Sequence, residues 1–193
     1  MDFVGCILSY IQKCATPLYK ELSKVLSESI LQHMNQICSP KSEFRNEIIA
    51  SGDCLDKKVF TDKQFRRECN NPFFTSIAFG ETKAHSEKPE RSVLDLVIDS
   101  SCCGYRRWEE CAMPKIKQQC SDQGERVASL LIAKLLGNVP DFICSKKIFS
   151  SNGKVCSAIP PLEIMSAQTN LTESDQRKFS IFSLLKLFII RDV

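Results

Sequence analysis

Histidine, glycine and tryptophan are scarce in this chain of 193 residues, which holds two, seven and one of them. The two histidines, His33 and His85, stand far apart, and no motif pairs either with a nucleophile. Chemistry built on an imidazole base therefore has no visible frame. His33 falls near the apolar face of a helical segment, where a lone histidine is ordinarily packed or exposed and not a ligand. Seven glycines leave little for phosphate cradles, and no phosphate-loop, dinucleotide or nucleophile-elbow pattern occurs. No two cysteines have the CxxC spacing of a metal knuckle. The 26 basic and 23 acidic residues are interleaved, and a net charge of +3 gives neither a nucleic-acid footprint nor strong membrane attraction. The acidic pairs Glu109–Glu110 and Glu87/Glu90 sit beside basic residues, as on a solvated helix face. These absences lead to an expectation of no enzyme activity, no cofactor and no metal.

What the chain does have is sulfur. Eleven cysteines are dispersed along it without knuckles, the pattern of disulfides in an oxidising compartment. Ten are candidates for bridges: Cys14, Cys38, Cys54, Cys69, Cys102, Cys103, Cys111, Cys120, Cys144 and Cys156. The odd one is assigned to Cys6, in an apolar stretch near the N-terminus. Phe3–Ile11 is a short apolar run, but Asp2 precedes it where a signal peptide would carry a basic residue. Residues 1–15 are read as a weak or truncated signal. Asn170–Leu171–Thr172 is a glycosylation sequon, so Asn170 is a candidate acceptor.

The stretch Val93–Cys120 organises the rest. Leu94, Ile98, Tyr105 and Trp108 fall near one line at helical spacing, bordered by Val97. Neighbouring residues on a helix point about 100° apart, so Cys102 and Cys103 must tie this helix to two different partners. Arg106, Arg107, Glu109 and Glu110 lie largely off that line and are expected in solvent. Arg106–Arg107 beside Tyr105 and Trp108 could grip an anion, but no wider basic surface supports that. Pro114 is expected to break or restart the helix.

Elsewhere, Thr16–Pro17 opens a helix that ends at Cys38–Ser39–Pro40, and a short helix is expected near Phe44–Ser51 with Gly52 at its end. Thr61 and Gln64 read as a capping box, and Phe60 and Phe65 as a hydrophobic staple, for a helix to about Cys69 that Asn70–Asn71–Pro72 stops. Phe73–His85 has no helical periodicity and reads as a packed loop or short extended piece. Ser121 caps a core helix over Asp122–Leu136, closed by Gly137. Residues 145–171 read as a loop rich in Ser, Asn, Gly and Pro, and residues 172–193 as an apolar C-terminal helix. That last run is too short to span a bilayer and is interrupted by Lys186, so it is expected to dock on the core or a partner, not to direct a membrane anchor.

The segment CCGYRRWEEC, then eight residues, Cys120 and a Leu-rich helix ending near Cys144 resembles a group of secreted cysteine-rich helical proteins of arthropods and nematodes. The resemblance covers about residues 93–144 and implies an extracellular helical protein without assigned catalysis. In that group a glycine usually follows the cysteine at position 120, where this chain has Ser121. Secreted phospholipases A2 also carry a cysteine pair, but with a histidine after it that this chain lacks. Insect odorant-binding carriers share the Cys111–Cys120 spacing but need a CxxxC step, which is absent.

The expected architecture is an all-α, disulfide-stapled bundle of five to six helices, with residues 16–144 as the cysteine-rich domain. The expected function is a secreted, non-enzymatic binding protein for a protein partner. The alternative is a helical carrier of a small apolar ligand, lined by Leu130–Leu136 and the terminal helix.

Overall fold

In the computed structural model, residues 36–84, 93–136 and 139–169 are described, with isolated positions at Ser9, Gln12, Lys13, Lys20 and Lys24. Most of the helix expected from Thr16, the C-terminal helix, Cys6, Cys14, Asn170, Gly137 and both histidines lie outside the described residues. Among the described residues the chain is helical and has no strand.

Seven α-helices are present there, where five to six were expected. They are α1 (Glu43–Leu55), α2 (Lys63–Phe65), α3 (Asn71–Ala84), α4 (Val93–Leu136), α5 (Val139–Ile143), α6 (Lys154–Ser157) and α7 (Leu162–Thr169). Two π-helical turns, Asp56–Phe60 and Arg66–Asn70, join α1, α2 and α3 into a continuous corner. The extra helices come from the segment read as loop, where α6 and α7 are too short for a period to show.

Local signals set the helix starts. Ser42 caps α1 by accepting from the Arg45 N–H. The helix runs on past Gly52 to Leu55, because Gly52 does not take the left-handed conformation that would stop it. The cap of α2 is Asp62, whose carboxylate accepts from the Phe65 N–H at 2.6 Å. The capping box at Thr61 and Gln64 is not formed. Thr61 donates instead to the Asp56 carbonyl, and Gln64 donates to Glu68. The staple fails with it, since Phe65 is buried and Phe60 points out.

The spine is α4, a hairpin of two helical limbs that turn at Ser121 (φ 66°, ψ 177°). Pro114 does not break it. Pro114 is exposed on the outer side of the first limb, where water can satisfy the carbonyl that its missing N–H leaves free. The limbs fold back on each other: Lys117 pairs with Glu125, and Ser129 reaches Met113. Ala112 and Ile116 of one limb pack with Val127 and Ala128 of the other, closing a core with Leu55, Val59, Phe65 and Cys69. On the second limb Leu130, Leu131 and Ile132 are only half-buried. α1 lies along this limb, with Glu47 bonded to Arg126 and the Lys134 ammonium over the Phe44 ring.

The segment expected to be a packed loop or short extended piece lies, over Phe73–Ala84, in the buried helix α3. Phe73, Thr75, Ser76, Ile77, Ala78, Phe79 and Gly80 are all buried. A helix covered on most sides loses the one-faced apolar stripe that periodicity detects. It crosses the first limb of α4 antiparallel and close, Ser76 against Gly104 and Gly80 against Ser100. A Cβ on Gly104 would stand 2.7 Å from the Ser76 Cβ, and one on Gly80 2.1 Å from the Ser100 Oγ. The two buried serines satisfy their hydroxyls locally, Ser76 on the Pro72 carbonyl and Ser100 on that of Leu96. Phe79, Cys102, Cys103, Phe149, Cys156, Ile159 and Met165 form a second core at this end.

Candidate functional site at the cysteine pair

Four disulfides are formed among the described residues. Cys54–Cys120 and Cys69–Cys111 tie the two ends of the π-turn corner to the first limb of α4. The adjacent cysteines diverge, as helix geometry requires: Cys102 bonds Cys144, and Cys103 bonds Cys156. Eight of the candidate cysteines are thus joined in pairs. Cys38, expected in a bridge, is exposed and free; the eight bridged cysteines satisfy one another and leave it no partner among the described residues.

One helical turn beyond the cysteine pair stand Arg106 and Arg107, four residues after Cys102 and Cys103 respectively. Residues four apart share a face, so each arginine reaches the segment that its cysteine has tethered. Arg106 Nε donates to the Cys144 carbonyl at 2.7 Å, and Nη2 donates to the Pro140 carbonyl at 3.3 Å. Arg107 Nη2 donates to the Cys156 carbonyl at 2.8 Å. Each of two short segments, around Cys144 and around Cys156, is held by one disulfide and one arginine from the same helix.

Arg106 was expected in solvent and is 2 % exposed. The sequence line through Tyr105 and Trp108 misplaces the buried face, whose centre is made of small residues: Ser100, Cys103 and Gly104. That shift carries Arg106 inward, where carbonyl and carboxylate partners make its burial tolerable. Its Nη1 pairs with Glu109 at 2.9 Å and its Nη2 with Asp141 at 3.1 Å. Burial by itself would lower the guanidinium pKa, but hydrogen bonds to Glu109 and Asp141 outweigh it and the net shift is upward. Glu109 also meets Lys146 at 3.3 Å. With its donors engaged within the chain, Arg106 presents no free fork to an outside anion.

Tyr105 lies beside this network, under the Arg106 guanidinium at 5.2 Å from the ring centroid. Burial, reinforced by the Glu109 carboxylate, pushes its phenol up to about 12. Tyr105 and Trp108 stack at 6.1 Å between centroids, and Phe73 packs on Trp108 at 6.2 Å. The Trp108 indole donates to Asn70 Oδ1 at 2.9 Å. The aromatic line is a packing device, with the Trp108 N–H satisfied by Asn70.

Among the described residues no group of three His, Cys, Asp or Glu side chains is placed to hold a metal ion. No helix there is long and apolar enough to cross a membrane. What the clamp does present is surface. Phe142, between the two carbonyls that Arg106 holds, is 87 % exposed, and Ile148 of the turn after Cys144 is 55 % exposed. Their neighbours Ile143 and Phe149 turn into the second core. Nothing in the composition of this segment distinguishes the outward residues from the inward ones; only the bridge positions could have done so. No family model, no curated protein and no solved structure matches this chain.

Proposed function

We propose that the protein is a secreted, cysteine-stapled, non-enzymatic recognition domain whose contact surface for a protein partner is the pinned segment 140–157. The observation that carries this reading is Phe142, a large aromatic 87 % exposed on backbone fixed by the Cys102–Cys144 bridge and by Arg106. Exposed aromatics on ordered backbone are what interface anchors are made of, because little ordering remains to be done on binding. The four bridges support an oxidising, extracellular compartment.

Two measurements test the two parts. Peptide mapping of the protein from its native source, alkylated before any reduction, is expected to return the four pairs; free thiols at Cys102, Cys103, Cys144 and Cys156 would refute the compartment. A photo-crosslinking amino acid at position 142 is expected to give one discrete adduct in the native fluid. Competition by wild-type protein should abolish that adduct, and competition by Phe142→Ser should not. Equal competition by both proteins would remove the surface from consideration.

A further inference from the structure

The corner between α1 and α3 carries a second surface of different chemistry. Residues 56–67 hold five basic residues, Lys57, Lys58, Lys63, Arg66 and Arg67, and two acidic ones, Asp56 and Asp62. This dozen residues accounts for the whole net charge of +3, so the rest of the chain is neutral. Lys57, Lys58, Lys63 and Arg67 are exposed. Lys58 and Lys63 make no ion pair among the described residues, and the Asp62 carboxylate is occupied as the cap of α2. At the apex stands Phe60, 58 % exposed, with Arg66 Nη2 donating to its carbonyl. The backbone beneath is fixed. Val59 and Phe65 are buried in the first core, and the corner is flanked by the Cys54–Cys120 and Cys69–Cys111 bridges.

We propose that this corner docks on an anionic phospholipid bilayer, with Phe60 entering the interface and Lys58, Lys63 and Arg67 meeting the headgroups. An exposed aromatic ring in a segment rich in exposed lysine and arginine matches the layered chemistry of that interface, apolar below and negative above. The lysine stems can lie along the apolar layer while their ammonium groups stay in water. A sulfated polysaccharide would use the basic residues but would leave Phe60 without a role. Asp53 pairs with Lys57 at 2.7 Å, so the uncompensated charge of the corner rests on Lys58, Lys63, Arg66 and Arg67.

The test is sedimentation of the full chain with phosphatidylcholine vesicles, with and without phosphatidylserine. Wild type is expected to sediment only with the serine lipid. Each basic residue near an anionic surface is worth about 1 kcal/mol, or about fivefold in partitioning. Lys58→Ala/Lys63→Ala is therefore expected to bind about thirtyfold more weakly, and Phe60→Ser, losing the apolar insertion, about tenfold more weakly. All three side chains are exposed, and unchanged circular dichroism and disulfide mapping check that the fold is kept. Phe60→Trp should retain binding and shift its emission to the blue when vesicles are added. Equal binding to both lipid compositions, or wild-type binding by both weakened variants, would overturn the proposal. So would binding that depends on Lys58 and Lys63 but not on Phe60, especially if heparin displaces it, since that describes a polyanion site.

Discussion

Two glycines placed in helices of this protein are expected to answer the same substitution with opposite signs. Replacing an interior helical glycine by alanine removes conformational freedom from the unfolded chain and gains about 0.5–1 kcal/mol if nothing obstructs the new methyl group. Around Gly52 nothing lies within 4 Å of where that methyl would sit. Around Gly104 the Ser76 Cβ would be 2.7 Å away and the Phe73 ring 3.3 Å. Ordinary carbon–carbon contact is about 3.5–4 Å, so α3 and α4 must separate by roughly 1 Å at their closest crossing. Ser76 Cβ is fixed to helix backbone and cannot rotate away. Overpacking of this kind costs about 1–3 kcal/mol, which exceeds the propensity gain. Gly104→Ala is therefore expected to lose about 1–2 kcal/mol net, and Gly52→Ala to gain up to about 1 kcal/mol.

Urea denaturation followed by circular dichroism, with the four bridges intact in every variant, reads both numbers. A destabilisation of about 1–2 kcal/mol should lower Tm by roughly 2–8 °C in a chain of this size. Ser76→Gly in the Gly104→Ala background removes the obstructing carbon and should recover much of the loss, a coupling that a double-mutant cycle isolates. Gly80→Ala is expected to fall between the two. Its nearest neighbour is the rotatable Ser100 hydroxyl, although the Val97 Cα at 3.3 Å limits the relief. The reasoning is refuted if Gly104→Ala stabilises as Gly52→Ala does, or if Ser76→Gly gives no recovery.

Three further outcomes follow from the clamp and the hairpin turn. Arg106→Ala strips the Cys144 and Pro140 carbonyls of a buried donor and should cost about 2–4 kcal/mol, against about 1 kcal/mol for Arg107→Ala, whose half-buried side chain gives one bond; urea midpoints compare them. Ser121 sits at φ 66°, ψ 177°, a region open essentially to glycine alone, so Ser121→Gly should raise stability by about 1 kcal/mol in the same assay. Tyr105 holds its proton to about 12 in the folded protein, whereas an unfolded tyrosine releases it near 10. The folded state then binds more protons between those values. Stability present below pH 10 is lost as pH rises through that window. An absorbance titration should show a phenolate step near pH 12 that disappears in Tyr105→Phe.

The sulfur framework was legible in the sequence because covalent chemistry and helix geometry constrain it directly. Two adjacent cysteines on a helix cannot share a partner, and they do not. The hairpin was legible in its limbs and in the boundary at Ser121, read as the cap of Asp122–Leu136; the break expected at Pro114 is not there, since an exposed proline can remain inside a helix. Helix α3 was hidden by its own burial: with Ser76, Ile77, Ala78, Phe79 and Gly80 all covered, polar and apolar residues share the interior and periodicity fails. The same cause hid the clamp. Arg106 reads as a surface charge until the small residues Ser100, Cys103 and Gly104 are seen to set the buried face.

The pairing of cysteine with arginine one turn later has a physical logic beyond this helix. α5 has five residues and α6 four, far below the length at which a helix holds itself in water. Neither can supply a core of its own, so their order must be imposed by α4. The bridges that do so close loops of 42 and 53 residues, each restricting the unfolded chain by about 4 kcal/mol. A disulfide fixes one point and leaves the tethered backbone free to pivot about it. An arginine bonded to the carbonyl of that same cysteine removes the pivot, and for Arg106 a second bond to the Pro140 carbonyl extends the hold along α5. Phe142 is thereby displayed on backbone gripped on both sides of it, although the residue itself packs on nothing and contributes nothing to the core. A bridge and a buried arginine that hold the backbone on both sides of an outward-facing ring leave little ordering to be done on binding, and that supports the recognition proposed for this surface.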